Sequence, residues 1–512
     1  MADEVKPLST QPTLVGEKSG LTSRASTSSG PSNGILPLHQ GDLEQGWAGN
    51  GTATAKATAA ETTPHADENG SPTGVARSKT RALFTVRPEG QSGRSGFHPF
   101  HFLAITFRSA SWVSRIVNVL WPLVPAAIAL KYTRNSHHND LAIFILSYLA
   151  MIPCANLIGF AGGELAKKVP HVLGVLLETT LGSIVEIVLF MVLISREPTD
   201  KVDYIQVIQA AILGSILATM LLCLGLCFIA GGIKRDEQSF SEAVSEAGSG
   251  LLLTAGVGLA IPTIFKSSLK GSFADADLLD QKTIDISRSM AILLIVAYLV
   301  FVYFQARTHH GIYDAIFEQD TQRDDDRYKE ERQSKLTFVE CVIALVISIT
   351  LVTIIAISLV EQIPYLVHER HVSDAFVGLI LVPLVEKAAE HLTAVDEAYD
   401  NQMNFALSHV LGATLQTALF NGPLVVLVGW GLGRRMSLSF EVFDLAMLIL
   451  SILTVGNFLR DQKSNYLEGF LCVTVYVGIA VAAAYFPSPH DRIPGTTATT
   501  SGIDVGGGGG HH

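Results

Sequence analysis

Apolar runs of about twenty residues recur along this 512-residue chain between positions 112 and 486. A bilayer leaves such runs little choice of fold. At 1.5 Å per residue, about twenty residues cross the roughly 30 Å hydrocarbon core as a helix. A helix also satisfies its own backbone polar groups where water is absent. Eleven candidate spans lie near 112–131, 141–161, 171–194, 205–230, 250–265, 286–305, 337–360, 373–395, 404–430, 441–459 and 467–486. The fifth is short and holds Pro262; the ninth is long and holds Pro423. With 48% hydrophobic and only 16% charged residues, the composition is that of a polytopic membrane protein rather than a soluble domain of this length.

Two of these runs carry carboxylates deep in their interior. Leu177–Glu186 reads LETTLGSIVE and contains Glu178 and Glu186; Pro383–His391 reads PLVEKAAEH and contains Glu386 and Glu390. A charge at the bilayer centre costs about 2.5–3.5 kcal/mol on insertion scales, so such residues mark an ion or proton pathway. One occurrence in each half of the chain points to a transporter built from two related repeats.

A charge-dense stretch, Arg307–Lys335, separates the halves and reads as a solvated helix or linker, with a regulatory cation site as a further reading of its acidic run. The expected organisation is a disordered cytosolic tail over 1–96, a first helix plus a five-helix repeat over 97–305, a charged cytosolic linker over 306–336, a second five-helix repeat over 337–486, and a flexible end over 487–512. The two blocks share weak similarity: Gly182–Glu186 and Glu386–Glu390 fall in the second span of each, and Leu213–Leu217 matches Leu411–Leu415 in the third. An odd number of spans per block forces opposite orientations. The fold class is therefore all-α, about eleven transmembrane helices, arranged as one plus two inverted five-helix repeats.

The tail is rich in Ser, Thr, Gly, Ala and Pro without hydrophobic period, which predicts disorder. Its basic residues thicken toward the first span (Arg77, Lys79, Arg81, Arg87, Arg94, Arg108), which favours a cytosolic N-terminus; Asn50-Gly51-Thr52 would then be an unused sequon. That orientation puts Lys167, Lys168, Lys234, Arg235, Arg460 and Lys463 inside, and Lys131, Arg134, Arg434 and Arg435 outside. The net charge of −11 lies largely in loops and tails and describes no partner. The five cysteines, Cys154, Cys223, Cys227, Cys341 and Cys472, sit in apolar runs and read as small hydrophobes rather than ligands. Asp396, Glu397 and Asp400 read either as an acidic mouth that concentrates cations or as an ordinary exit from the membrane. His309, His310, His368 and His371 read as loop bystanders or pH sensors, and Trp112, Trp121 and Trp430 as interfacial anchors.

On Leu213–Ile233 (LGSILATMLLCLGLCFIAGGI) and Phe376–His391 (FVGLILVPLVEKAAEH), the chain resembles the cation/proton exchanger (CAX) family of the cation/calcium exchanger superfamily, as a divergent member of fungal type; the likeness covers roughly Ser111 to Phe486. The resemblance implies an eleven-span fold and vacuolar-type calcium/proton antiport. It also implies that Glu186 and Glu390 stand where the family has its two essential carboxylates, with Gly182 kept before the first, His391 following the second, and Gln416 as the polar residue of the later span. Elsewhere the chain departs: Glu178 and Ser183 replace amides of the first signature, Glu386-Lys387 replaces a Gly-Asn pair, and Ala218-Thr219 and Ala413 replace other small polar positions.

Calcium takes six to eight oxygens at about 2.3–2.6 Å. Glu186 and Glu390 are the expected metal ligands, with Thr180, Ser183, Gln416 and carbonyls freed near Gly182 as further oxygens. Four carboxylates, Glu178, Glu186, Glu386 and Glu390, cannot all ionise cheaply in one apolar space, so protons and a cation become alternative neutralisers. Lys387 has three readings: it pairs with Glu386 and frees the other two carboxylates; it occupies the cation position as a tethered surrogate; or it snorkels to an interface. About ten apolar residues before the cluster place it roughly 15 Å deep, against snorkelling.

The expected function is secondary active Ca²⁺/H⁺ exchange by alternating access across a vacuolar-type membrane. The alternatives are a monovalent (Na⁺ or K⁺)/H⁺ antiporter and a transport-inactive sensor or scaffold plugged by Lys387. No enzyme motif, resident cofactor or nucleic-acid footprint is expected; the partners are membrane lipid and the transported cation and proton.

Overall fold

The computed structural model describes residues 92–108, 112–133, 140–196, 203–271, 276–325 and 327–486. The tail assigned to 1–96, apart from its last residues, lies outside this set, as do 487–512, the sequon and the side chain of Trp112. Residues 92–96 are fastened rather than disordered: Arg94 donates to the Lys335 carbonyl at 2.9 Å and Thr337 donates to the Gly96 carbonyl at 2.7 Å.

Among the described residues, ten helices are long and apolar enough to cross a membrane: Ser114–Tyr132, Asp140–Ala166, His171–Ser195, Tyr204–Lys234, Glu242–Leu269, Ala276–Thr308, Phe338–Glu369, Met403–Gly431, Val442–Asp461 and Tyr466–Ala484. They match ten of the eleven expected runs and are called spans one to seven and nine to eleven. The fifth is not short: Pro262 is carried inside a helix that extends to 28 residues. Span eight is present but interrupted. It runs helically over 374–386, breaks at Lys387, and resumes as Ala388–Tyr399.

Span three breaks at the equivalent place, between His171–Gly182 and Ile184–Ser195. Both break residues leave helical ψ: Ser183 has φ −75°, ψ −1°, and Lys387 has φ −91°, ψ −1°. Spans four and nine each loosen into a π-helical turn, Ala218–Cys223 and Thr417–Asn421. π-Turns of this kind concentrate at functional sites. Paired irregularities at corresponding points of the two halves are the structural form of the repeat read from the sequence.

The halves interlock rather than lie side by side. Span two packs along span seven, and span four packs against both parts of span eight and against span eleven. Glycine permits the closest of these approaches: a Cβ on Gly214 would fall on the Leu379 carbonyl, and one on Gly378 would lie 2.7 Å from Ala210. Spans three, four and nine meet around the breaks, and the outer helices turn apolar residues such as Val257, Leu299, Leu453 and Val477 outward. A lipid-facing surface of this character is what a bilayer requires.

The linker is less solvated than its charge suggests. Tyr313, Phe317 and Asp320 of His310–Arg323 are buried. Asp320 accepts from the backbone N–H of Asn404 at 2.7 Å and of Phe405 at 3.2 Å, and from Asn404 Nδ2 at 2.8 Å. It thereby satisfies donors left over at the start of span nine. On the same side, Gln238–Ser239 pairs antiparallel with Lys463–Ser464, joining the connections after spans four and ten.

Candidate functional site

At the two breaks, the first turn of each resumed helix carries an acid: Glu186 in Ile184–Ser195 and Glu390 in Ala388–Tyr399. Helix N-termini present unsatisfied N–H groups and the positive end of the macrodipole, which suits a carboxylate. The breaks place these carboxylates face to face across the repeat boundary. Lys387 Nζ lies between them, 2.8 Å from Glu186 Oε2 and 3.1 Å from Glu390 Oε2. Lys387 and Glu186 are both fully buried. The tethered-surrogate reading of Lys387 is thus the arrangement present. The pairing with Glu386 is not formed, and the snorkelling geometry is excluded.

Each carboxylate is held by the opposite repeat. Glu186 Oε2 accepts from Thr417 Oγ1 at 2.9 Å and Asn421 Nδ2 at 2.7 Å, both in the π-turn of span nine. Glu390 Oε1 accepts from Ser183 Oγ at 3.1 Å. Glu386 accepts from Ser215 of span four in a short hydrogen bond. Gly182 is buried here, and a Cβ on it would stand 2.7 Å from Glu390 Oε1.

Among the expected site residues, Glu186, Glu390, Ser183, Gly182, Glu386 and Lys387 come together. His391 and Gln416 are buried as well, with His391 Nε2 and Gln416 Oε1 unpartnered. Thr180 does not join: it is exposed, and its hydroxyl donates back to Leu176 O at 2.7 Å. It sits on the outer face of span three, three residues from Ser183 but on another side of the helix. Thr417, Asn421 and Ser215 were missed. A polar residue in an apolar run is the signal they offered, and only the helix rotation shows which of many such residues points inward. Among the described residues, no three His, Cys, Asp or Glu side chains group as a metal set. The expected ligands Glu186 and Glu390 both face the Lys387 ammonium.

Glu178 stands apart from this centre, nearer the linker side. A cavity of ≈ 220 Å³ opens there, and Glu178, Asp396, Glu397 and Asp400 line it together with Lys167 and Arg327. The acidic triplet is therefore a mouth in position. It is balanced by cations: Lys234 lies 3.7 Å from Asp400.

The sodium/calcium exchanger protein family model matches residues 139–307 and 341–485. A vacuolar calcium ion transporter of Cryptococcus neoformans var. grubii is 30% identical, the match covering 84% of this chain and 81% of that one. A Ca(2+)/H(+) antiporter of Aphanothece halophytica is 32% identical, covering 69% of this chain and 92% of that one. Among solved structures, that of native YfkE superposes with a TM-score of 0.57 at 24% identity, covering 72% of this chain and all of the other.

Proposed function

We propose that this chain, which belongs to the sodium/calcium exchanger protein family, exchanges a cation for protons at the Glu186–Glu390 centre by alternating access, with Ca²⁺ as the cation and a vacuolar membrane as its location. One observation carries the reading: acids from the two repeats, Glu186 fully buried and Glu390 nearly so, meet on a single positive charge at the interface where span three faces span eight. The calcium and vacuolar parts rest on the relatives named above.

The charge balance shows how exchange follows. Glu186 and Glu390 with Lys387 sum to −1, and an ionised Glu386 makes −2. One Ca²⁺ or two protons neutralise −2, so the two loads are alternatives. An unneutralised centre is costly to carry through a low-dielectric occluded state, which couples the movement of one load to the other. For a cation to reach Glu186 and Glu390, the flexible Lys387 stem swings off them, while Ser183, Thr417 and Asn421 stay to offer oxygens.

Lys387 also favours a second reading. With Glu386 protonated the centre sums to −1, which one Na⁺ or K⁺ balances against one proton. Glu386 is well placed to hold that proton, buried with Oε2 unpartnered.

Proton-driven ⁴⁵Ca uptake into vesicles tests the first reading, with Na⁺ and K⁺ competing in parallel. Glu186→Gln or Glu390→Gln is expected to abolish uptake. Uptake surviving either change at the unmodified rate removes these residues from the mechanism. Dissipation of the vesicle pH gradient by Na⁺ or K⁺ in the absence of calcium selects the second reading.

A further inference from the structure

A second titratable cluster lies between the linker-side cavity and the centre, and none of the steps above uses it. His409 of span nine is 7% exposed. Its Nδ1 lies 2.7 Å from Glu397 Oε2 of span eight, and its Nε2 lies 3.6 Å from Glu178 Oε2 of span three. That Nε2 is buried without a hydrogen-bond partner. An imidazole aimed at two carboxylates from two other spans bridges both repeats.

Its position gives it a task. Glu178 and Glu397 line the open cavity, whereas Glu178 and His409 also line a pocket of ≈ 20 Å³ whose far wall is Glu390 and Gly182. That volume is the size of a single water. The series Glu397, His409, Glu178, Glu390 therefore runs from the linker side to the transport centre, and its members come from spans eight, nine, three and eight. Other titratable groups near it are Cys223 of span four on the pocket wall, Asp396 and Asp400 of span eight on the cavity wall, and Glu164, Lys167, His171, Asp324 and Arg327 around the same cavity. Asp320 of the linker is bonded to the start of span nine. Span five packs Gly248 on Leu411, with its Glu242 and Glu246 exposed.

We infer that Glu397, His409 and Glu178 form a proton-loading station that serves the centre from the linker side. The inference rests on the antiport reading above. In loading, a protonated Glu397 gives its proton to Nδ1 of an imidazole already protonated at Nε2, leaving carboxylate and imidazolium. In release, Nε2 gives its proton to Glu178, leaving neutral imidazole and a carboxylic acid on the wall shared with Glu390. The starting tautomer returns by proton exchange with solvent water, in which Nδ1 gives up its proton and Nε2 takes one back. Histidine is suited to this because its ordinary pKa, about 6.5, lies near working pH.

The test uses the full chain in proteoliposomes and measures two rates: ⁴⁵Ca uptake driven by a proton gradient, and ⁴⁵Ca/Ca²⁺ self-exchange, which moves no net proton. His409→Gln is expected to lower the ratio of the first to the second about a hundredfold, the lower end of the range for removing a positioned acid–base group. It should also flatten the dependence of proton-driven uptake on linker-side pH. Glu397→Gln, which keeps the side-chain shape, should act in the same direction. A ratio unchanged in both variants, or both rates falling together in both, overturns the station. Loss of both rates in the unmodified protein instead removes the antiport reading on which it stands.

Discussion

Lys387 does for Glu186 and Glu390 what a bound cation would do, and it does so covalently attached to the chain. An ammonium with no exposed surface is tolerable only because two carboxylates face it at 2.8 and 3.1 Å. Removing one member of such a buried pair costs about 3–5 kcal/mol, because the other is left charged and alone. Lys387→Met is therefore expected to lose stability of that order. The loss should be largely restored by low pH or millimolar Ca²⁺, either of which neutralises the freed acids; thermal unfolding in detergent measures it. A variant as stable as the parent, and indifferent to calcium, would show that the centre does not hold ionised carboxylates. Flux that appears only in Lys387→Met would identify the lysine as a plug. The two acids themselves were legible in the sequence, because a carboxylate in an apolar run has few structural excuses. The partner of Lys387 was not, since i+3 reach to Glu390 and reach across the bundle to Glu186 leave the same sequence pattern. His409 was missed for the same reason: its partners lie 12 and 231 positions away.

Among the elements, spans three and eight are the working pair, and their breaks are where the repeat is most visible. Gly182 and Gly214 serve these helices differently, which separates two expected outcomes. A Cβ on Gly182 meets the Glu390 side chain at Oε1 and Cγ, which can turn aside without moving backbone. Gly182→Ala should leave the fold intact while drawing Glu390 off Ser183, with exchange falling at least tenfold. A Cβ on Gly214 meets the Leu379 carbonyl and the Pro383 ring, which cannot move without parting span four from span eight. Gly214→Ala should cost about 1–3 kcal/mol of stability, the usual range for overpacking. Unfolding midpoints and vesicle uptake, measured on both variants, distinguish the pair; equal loss of stability in the two would refute the distinction. Ten spans could be located from apolar length alone. The break in span eight could not, because Pro383 precedes it by four residues and Lys387 itself is an ordinary helix former.

For the whole molecule, the inverted arrangement was legible from counting one span plus five before the linker and five after it, whereas the linker's own role was hidden by its charge. Arg307–Lys335 reads as solvent-exposed because acids and bases alternate along it, yet Asp320 is drawn into the body by the donors at the head of span nine. That contact ties the join between the halves to the helix that carries His409, Thr417 and Asn421. Asp320→Ala should leave those donors unsatisfied and cost about 1–3 kcal/mol. The pH dependence has a definite sign. Burial raises the Asp320 carboxyl above its ordinary 3.8, against the hydrogen bonds from Asn404 and Phe405. The folded chain then binds this proton more tightly than the unfolded chain does. The stability so gained is complete below the unfolded pKa and is lost as pH rises through the raised folded one. The gap between parent and Asp320→Ala, followed by thermal unfolding from acid toward neutral pH, should therefore narrow across that window and level off above it. A gap that widens as pH rises would mean the span-nine donors hold the ionised carboxylate more strongly than burial opposes it. The linker would then be fastened by charge rather than despite it.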